Sequence, residues 1–220
     1  MPNRSAKLKT LVKICGLRSI DDAMRAAELG ADAVGFVVAP ASPRHISFQD
    51  SLAIAQHVLA YVTPVLVLRH WSDVPPQELR LWPGPVQVYE FVGGPDRKRI
   101  LGCSIDQLNQ LQQCPNAQIS ALLVDAPNAG AGEGWNWQRP KPPWTYQLPL
   151  ILAGGLSPEN VATAISQACP WAVDVSSGVE SSRGVKDFKK VKDFIVNTQG
   201  AQKNIDASAK NASTILFNQL

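Results

Sequence analysis

Short apolar runs recur along the chain, and most of them are followed by residues with the spacing of an amphipathic helix. Eight of these runs have the length and β-branched content of buried strands. They are Leu11–Cys15, Ala33–Val38, Val65–Leu68, Val86–Tyr89, Ile100–Cys103, Ser120–Val124, Pro149–Ala153 and Ala172–Val175. The runs lie roughly 25 residues apart on average, enough for a strand and a return helix, so the pattern predicts eight βα units.

Capping residues indicate where several of the intervening helices begin. Ser19, Ser47 and Ser104 each stand three positions before an acidic or amide residue, a pattern that satisfies free N–H groups in a first helical turn. Ser157, followed by proline, predicts a further start. A final helix is expected over Lys186 to Asn197.

Eight alternating units in about 200 residues are typical of a single (β/α)8 barrel. An open doubly wound sheet is the alternative, but no G-x-G-x-x-G motif follows the first strand. The fourth unit is expected to be irregular because Glu90–Arg99 is too short for a full helix, and the sixth because Ala126–Leu148 is rich in Gly, Pro and Trp. The barrel is assigned to residues 1–198, and the polar segment 199–220 is expected to be a poorly ordered tail.

The charge pattern favours a small-molecule partner over a macromolecular one. The net charge is +3, and the basic residues are scattered, whereas nucleic-acid binding favours a concentrated basic face. The sequence contains no apolar run long enough to cross a bilayer, and the basic start is not followed by the apolar stretch of a secretory signal. We therefore expect a cytoplasmic protein without a nucleic-acid or membrane partner.

The cysteine spacing bears on metals and on the redox compartment. The four cysteines form no C-x-x-C pair, and the three histidines do not cluster with them, which argues against a zinc site. Widely spaced cysteines in a chain that can build its own core indicate reduced thiols in the cytosol.

Reactive residues end the first and sixth strands, where a barrel of this class places its active site. Alternation puts Cys15 on the same face as Lys13, at the barrel mouth. A thiol there could act as a general base if nearby cations favour the thiolate, or it could be a buried, inert thiol. Asp125 could act as a general acid, or it could cap the turn that follows it.

Small residues follow the last two strands, in the loops that usually bind phosphate in these barrels. Gly154 and Gly155 follow the seventh strand, and Ser177 and Gly178 follow the eighth. Such residues let backbone N–H groups approach an anion closely. The two loops together predict a phosphate site.

Three further charged residues are expected near the same end of the barrel. Arg44 follows a rigid Ser-Pro turn after the second strand and could bind a carboxylate through two parallel hydrogen bonds. Lys13 and Asp174 lie on the first and last strands, which become neighbours when the barrel closes. We expect these two side chains to form a buried ion pair that orients the mouth.

Together these segments resemble the phosphoribosylanthranilate isomerase family of tryptophan biosynthesis. The resemblance extends from the first strand to the eighth, and its first, seventh and eighth segments are specific in combination. It is carried by Lys13–Leu17, Gly30–Phe36, Ser42–Arg44, Leu123–Asp125, Gly130, Gly132, the Trp137 region, Leu152–Val161 and Ala172–Glu180.

The resemblance implies a (β/α)8 barrel that acts on a phosphosugar–anthranilate substrate without metal or organic cofactor, as a monomer or homodimer. The reaction would be the Amadori rearrangement of N-(5-phosphoribosyl)anthranilate to 1-(2-carboxyphenylamino)-1-deoxyribulose 5-phosphate. By resemblance, Asp125 is the acid that protonates the ribose ring oxygen, and Cys15 is the base that removes the proton from C2. Arg44 would hold the anthranilate carboxylate, and the four small residues of the last two loops would cradle the phosphate.

Two strands depart from the family pattern. The family usually reads Gly-Val-Phe-Val-Asn and Val-Gln-Leu-His-Gly where Val65–Arg69 and Val86–Glu90 stand here, so the familiar His is absent. The alternative function is therefore a catalytically impaired phosphate-binding barrel that serves as a ligand-binding or scaffold protein. A sibling isomerase of the histidine pathway fits less well, because that family uses two Asp residues and the first strand here ends in Cys15.

Overall fold

The fold was analysed in a computed structural model that describes residues 9–115, 118–125, 137 and 142–201. All eight predicted strands are present, and they form a closed parallel barrel in chain order, in which the last strand pairs with the first. The strands are β1 (Leu11–Cys15), β2 (Ala33–Val37), β3 (Thr63–Leu68), β4 (Val86–Val88), β5 (Arg99–Ser104), β6 (Ile119–Asp125), β7 (Leu150–Leu152) and β8 (Ala172–Val175). The predicted (β/α)8 barrel is confirmed, and the open sheet is excluded.

Helices connect most of the strands. In the described part of the chain they are α1 (Ile20–Glu28), α2 (Phe48–Val58), α3 (Pro76–Leu79), α4 (Ile105–Asn109), α5 (Val161–Ala168) and α6 (Phe188–Gly200). Ser19, Ser47 and Ser104 cap α1, α2 and α4 as predicted, each accepting a hydrogen bond at 3.0–3.2 Å from the N–H three residues on. None of these helices combines the length and the apolar character that a bilayer span requires.

The predicted helix start at Ser157 is wrong. Helix α5 begins at Val161, because the preceding residues form a turn closed by the side chain of Asn160. The Asn160 amide oxygen accepts a hydrogen bond of 2.8 Å from the Ser157 N–H, while the Ser157 carbonyl accepts one of 3.1 Å from the Val161 N–H. The side-chain bond closes this turn, and the regular α-helix follows it from Val161.

The C-terminal helix also differs from its prediction. It begins at Phe188 because Lys186 lies in a small antiparallel hairpin of β9 (Glu180–Ser182) and β10 (Val185–Lys186). It ends at Gly200, so residues 199 and 200 belong to the helix and not to the expected tail. The rest of that tail, from residue 202 onward, lies outside the described residues.

The two units expected to be irregular were the fourth and the sixth. The described connection between β4 and β5 contains no α-helix, in agreement with its short length. In the sixth unit, Pro143–Gln147 forms a 3-10 helix. Residues 126–136 and 138–141, which include Gly130 and Gly132, lie outside the described residues.

Alternation along the strands separates two apolar layers. Val12 and Ile14 of β1 face outward and pack between the barrel and the helices, whereas Cys15 joins the layer inside the barrel. The inner layer comprises Cys15, Ala33, Val65, Val67, Ile100, Ala121, Leu123, Ile151, Ala153 and Ala172. Side chains therefore fill the barrel interior, and the space for a ligand lies at the mouth, beyond the C-terminal ends of the strands.

Candidate active site

A cavity of about 490 Å³ lies at the C-terminal ends of the strands. This volume is typical of a site for a small molecule. Five of the seven residues predicted from the sequence form part of its wall, namely Arg44, Asp125, Gly154, Gly155 and Ser177. Residues from six different strand–loop junctions contribute to the wall in total, so barrel closure assembles one site from distant segments.

Cys15 lies beside this cavity, in the inner apolar layer at the end of β1. It is 7% exposed, and its sulfur packs against Gly35 of β2, where a Cβ would come within 2.7 Å of Sγ. Burial raises the pKa of the Cys15 thiol, and the positive charges of Lys13 and Lys186 offset this only in part. At neutral pH the group is therefore mainly a thiol, and it becomes a proton acceptor when its proton leaves.

The predicted ion pair of Lys13 and Asp174 is confirmed. Lys13 Nζ donates to Asp174 Oδ1 at 2.8 Å, and the two residues are direct partners in the β1–β8 register. Burial opposes the positive charge of Lys13, but the adjacent carboxylate outweighs this effect, so the pKa of Lys13 is raised. Asp174 also lines the cavity, which gives the site a carboxylate with a fixed counter-charge.

Asp125 is the last residue of β6, half-buried in the cavity wall. Tyr89 also lines the cavity, and the causes of its pKa shift show which charged groups lie near it. Burial raises the pKa of Tyr89 well above its ordinary value, and the charges of Asp125, Asp174 and Cys15 raise it further. The predicted acid and the predicted base thus lie within electrostatic range of the same phenol.

Arg44 lines the cavity with its guanidinium already bound to a carboxylate. Arg44 Nε donates to Glu180 Oε1 at 2.7 Å, and Nη2 donates to Oε2 at 3.0 Å. Lys186 Nζ and the Gly184 N–H also donate to Glu180, at 3.0 and 3.1 Å. Burial opposes ionisation of Glu180, but these donors prevail and lower its pKa to about 2.

This contact changes how Arg44 can bind a ligand. The edge of the guanidinium formed by Nε and Nη2 faces Glu180, so the end formed by Nη1 and the second N–H of Nη2 is the edge that a ligand can use. The sequence reasoning missed Glu180 and Lys186. Both belong to the hairpin after β8, and a Glu 136 residues away from Arg44 carries no local sign of pairing with it.

The loop after β7 contributes Gly154, Gly155 and Leu156 to the cavity wall. Gly154 and Gly155 have φ of 81° and 63°, the left-handed region that favours glycine. The Gly154 carbonyl accepts from Trp137 Nε1 at 3.2 Å, and the Gly155 carbonyl accepts from Asn160 Nδ2 at 2.8 Å. Because the C=O and N–H of one peptide point in opposite directions, these bonds orient the N–H groups of Gly155 and Leu156, which both line the cavity.

The loop after β8 packs directly on this first loop. A Cβ at Gly178 would overlap the carbonyl of Leu156, so a side chain at this position would push the two loops apart. Gly178 itself lies behind the wall, while Ser177 forms part of it. Ser176 ties the loop to β1, since its hydroxyl donates to the Cys15 carbonyl at 3.0 Å.

Arg69, Tyr89 and Arg183 are among the residues of the cavity wall that were not predicted as site residues. Tyr89 ends the apolar run of the fourth strand, and it stands where the family pattern has His. A polar tip at the C-terminal end of a barrel strand is the signal that could have identified it. Arg69 and Arg183 lie in loops, where sequence periodicity carries no information about direction.

Comparison with known proteins gives consistent matches over most of the chain. Residues 12–197 match the family model described as N-(5'-phosphoribosyl)anthranilate (PRA) isomerase. The N-(5'-phosphoribosyl)anthranilate isomerase of Trichlorobacter lovleyi is 37% identical over 203 residues, which cover 86% of this chain and 98% of that protein. The phosphoribosyl anthranilate isomerase of Thermus thermophilus superposes with a TM-score of 0.72 at 30% identity, covering 88% of this chain and 100% of that one.

A second solved structure contains a ligand. It is a phosphoribosyl anthranilate isomerase in complex with reduced 1-(o-carboxyphenylamino)-1-deoxyribulose 5-phosphate, abbreviated rCdRP. It superposes with a TM-score of 0.68 at 31% identity and covers 87% of this chain and 100% of that one.

Proposed function

Since the chain belongs to the N-(5'-phosphoribosyl)anthranilate isomerase family of tryptophan biosynthesis, we propose that Asp125 and Cys15 carry out the two proton transfers of its isomerisation. The observation that supports this assignment is the convergence of the predicted acid, arginine and glycine loop on one cavity, with the thiol beside it. Both groups also act on the pKa of Tyr89, although burial is the larger cause. In this proposal, a single pentose lies between them.

The first step opens the ribose ring. Asp125, in its protonated form, donates its proton to the ring oxygen, and the bond between this oxygen and C1 breaks. The anthranilate nitrogen supplies the electron pair that forms the C1=N bond, so the product is a protonated Schiff base. A carboxyl group at the end of β6 suits this role because general acid catalysis needs a donor within hydrogen-bond reach of the leaving oxygen.

The second step removes the proton from C2. Cys15 takes this proton as a thiolate, and the electron pair left behind forms the C1=C2 bond while the C1=N electrons return to nitrogen. The resulting enolamine gains a proton at C1 and loses the proton of its C2 hydroxyl, which gives the ketone. Asp125 must begin the cycle protonated and Cys15 deprotonated, so the active enzyme holds one proton between the two groups.

The two anionic ends of the substrate would be held on different sides of the mouth. Arg44 would bind the anthranilate carboxylate through its Nη1 end, because its other edge is engaged by Glu180. The phosphate would lie on the loops after β7 and β8, where Gly154, Gly155 and Ser177 allow close approach of backbone donors. Gly178 would support this site by letting the two loops pack together. Fixing both ends holds C1 and C2 between acid and base.

Site-directed variants assayed with the purified protein test this function. We expect Cys15→Ser and Asp125→Asn each to lower kcat by about 10²- to 10⁴-fold, the usual scale of lost acid–base catalysis, while rCdRP binding is largely retained. Cys169→Ser is the matched control, because this thiol is exposed, follows the last residue of α5 and is not part of the cavity wall, and it should leave kcat unchanged.

Two results would contradict the assignment. Full turnover by Cys15→Ser or Asp125→Asn would remove that residue from the chemistry. If the wild-type protein bound rCdRP but never converted substrate, and failed to complement a tryptophan auxotroph lacking this step, the scaffold alternative would hold instead.

We also propose a cytoplasmic protein that acts as a monomer or homodimer, with the phosphosugar–anthranilate substrate as its partner and no nucleic acid or membrane. All four cysteines lie in the described residues, and none forms a disulfide, which suits a reducing compartment. Analytical ultracentrifugation measures the oligomeric state, and a higher assembly would contradict the proposal.

A further inference from the structure

The ring of Tyr89 is fixed from two sides at the mouth of the barrel. It lies against Gly102 of β5, where a Cβ would come within 2.7–2.9 Å of three ring atoms, Cε1, Cζ and Cδ1. The Arg69 guanidinium lies over the same ring, 5.4 Å from its centroid and within range of a cation–π interaction. The absence of a side chain at Gly102 therefore makes the space that Tyr89 occupies.

The hydroxyl of Tyr89 is oriented by a buried amide. Gln87 of β4, two residues before Tyr89, is 1% exposed, and its Nε2 lies 3.0 Å from Tyr89 Oη. An amide N–H can only donate, so the hydroxyl accepts this bond and its own hydrogen points elsewhere. Among the described residues, none accepts that hydrogen, and Tyr89 lines the cavity.

The surroundings keep this phenol protonated. Burial raises the pKa of Tyr89 well above its ordinary value, and the negative charges of Asp125, Asp174 and Cys15 act in the same direction. The hydroxyl is therefore a neutral donor throughout the pH range in which the enzyme works. A fixed neutral donor stabilises an oxygen on which electron density increases during a reaction.

We propose that Tyr89 is a further substrate-contacting residue, whose hydroxyl donates a hydrogen bond to the oxygen on C2 of the sugar. This oxygen is attached to the carbon from which Cys15 removes the proton, and it becomes the ketone oxygen of the product. The inference rests on the proposed function, because it takes the sugar to lie between Asp125 and Cys15. It assigns to Tyr89 the binding of the reacting end of the sugar, separate from the carboxylate and phosphate sites.

The variant Tyr89→Phe removes one oxygen and keeps the ring against Gly102. We expect kcat/KM to fall about tenfold to a hundredfold, mostly through kcat, because the hydrogen bond strengthens as the ketone forms. Affinity for rCdRP should fall by about tenfold, since its C2 oxygen also accepts the bond. The thermal midpoint should stay close to that of the wild type. Tyr61→Phe, at a tyrosine 66% exposed and outside the cavity wall, is the matched control and should change neither quantity.

A double-mutant cycle tests whether Gln87 acts by orienting the Tyr89 hydroxyl. Gln87→Met removes the donor that orients the hydroxyl, so it should lower kcat/KM in the same direction but by less. In the Tyr89→Phe background it should have little additional effect, because its partner oxygen is already gone. The pH profile of kcat/KM should keep its shape in Tyr89→Phe, since a neutral donor does not titrate.

The outcomes separate this inference from the function on which it rests. Loss of rCdRP affinity in Tyr89→Phe supports the contact even if the Cys15 and Asp125 variants prove active. Unchanged kcat/KM and unchanged rCdRP affinity in Tyr89→Phe would overturn it, although inactive Cys15 and Asp125 variants would still uphold the proposed function. A shifted pH profile in Tyr89→Phe would also overturn it, because Tyr89 would then be a proton carrier.

Discussion

The Lys13 ammonium lies 2.8 Å from the Asp174 carboxylate, across the seam where β1 and β8 close the barrel. Lys13 is completely buried, whereas Asp174 reaches the cavity. The pair occupies positions where most strands of the barrel contribute apolar side chains. It places a positive charge beneath the active site, next to Cys15, and this charge favours the thiolate that the second proton transfer needs.

Removing the buried ammonium should destabilise the fold strongly. Lys13→Met leaves Asp174 charged and uncompensated, and we expect a loss of about 3–5 kcal/mol in the free energy of unfolding. Urea denaturation measures this loss. The matched control is Lys9→Met, which breaks the exposed Lys9–Asp32 pair of 3.0 Å and should cost less than about 1 kcal/mol. Equal costs for the two variants would contradict the role of burial.

The pH dependence of turnover should reflect the single proton that Asp125 and Cys15 hold between them. While one proton remains between Asp125 and Cys15, the fraction of enzyme in the active form is constant, so kcat/KM should be level through neutral pH. Because burial raises the pKa of Cys15, the last proton leaves only above the ordinary thiol range of about 8.5, and kcat/KM should fall there. An alkaline limb below pH 8, measured under kcat/KM conditions, would contradict this assignment of the base.

Glu180 should be essential for the position of Arg44. Glu180→Gln leaves the buried cations Arg44 and Lys186 without their shared counter-charge, and we expect a loss of about 3–5 kcal/mol in stability. We also expect KM to rise more than kcat falls. The Arg44 guanidinium loses the carboxylate that fixes its orientation, so its Nη1 end would bind the substrate less well. Steady-state kinetics below the unfolding temperature separate the two parameters. Arg44→Ala should likewise weaken substrate affinity, and an unchanged KM would remove Arg44 from the site.

Acid should weaken the fold through the same carboxylate. The pKa of Glu180 is lowered to about 2 in the folded protein, so its contribution is present above the unfolded pKa of about 4.3 and disappears as the pH falls through about 2. The contribution at neutral pH is on the order of 3 kcal/mol. Urea unfolding of wild type and Glu180→Gln at several pH values measures it. The difference between the two proteins should shrink from pH 5 toward pH 2, and a constant difference would contradict the assignment.

The contact between the loops after β7 and β8 predicts that one added methyl group at Gly178 weakens ligand binding. Gly178→Ala would place Cβ onto the Leu156 carbonyl, so we expect the loops to separate and the affinity for rCdRP to fall by at least tenfold. Isothermal titration calorimetry measures this affinity. Gly200→Ala is the control, because the space around this helical glycine is open within 4 Å and the change should be neutral or slightly stabilising. Retained affinity in Gly178→Ala would exclude a phosphate site at these loops.

Local features of the chain were sufficient for the barrel scaffold. The alternation of Lys13 and Cys15 with Val12 and Ile14 was visible in five residues, and the caps at Ser19 and its equivalents involve partners three positions away. Such signals are readable because the interacting groups are neighbours in sequence. The prediction failed at Ser157, where a turn bridged by the side chain of Asn160 precedes the helix.

The amino-acid sequence alone thus determined the eight strands, the candidate acid and base, and the glycine loops, because each depends on a short pattern of residues. Only the tertiary structure showed that Arg44 is held by Glu180, that Cys15 is buried beside the cavity, and that Tyr89 rests on Gly102. These relationships join segments that meet when the barrel closes. Their energies come from burial and from the geometry of charged groups in space, and neither has a fixed spacing along the chain.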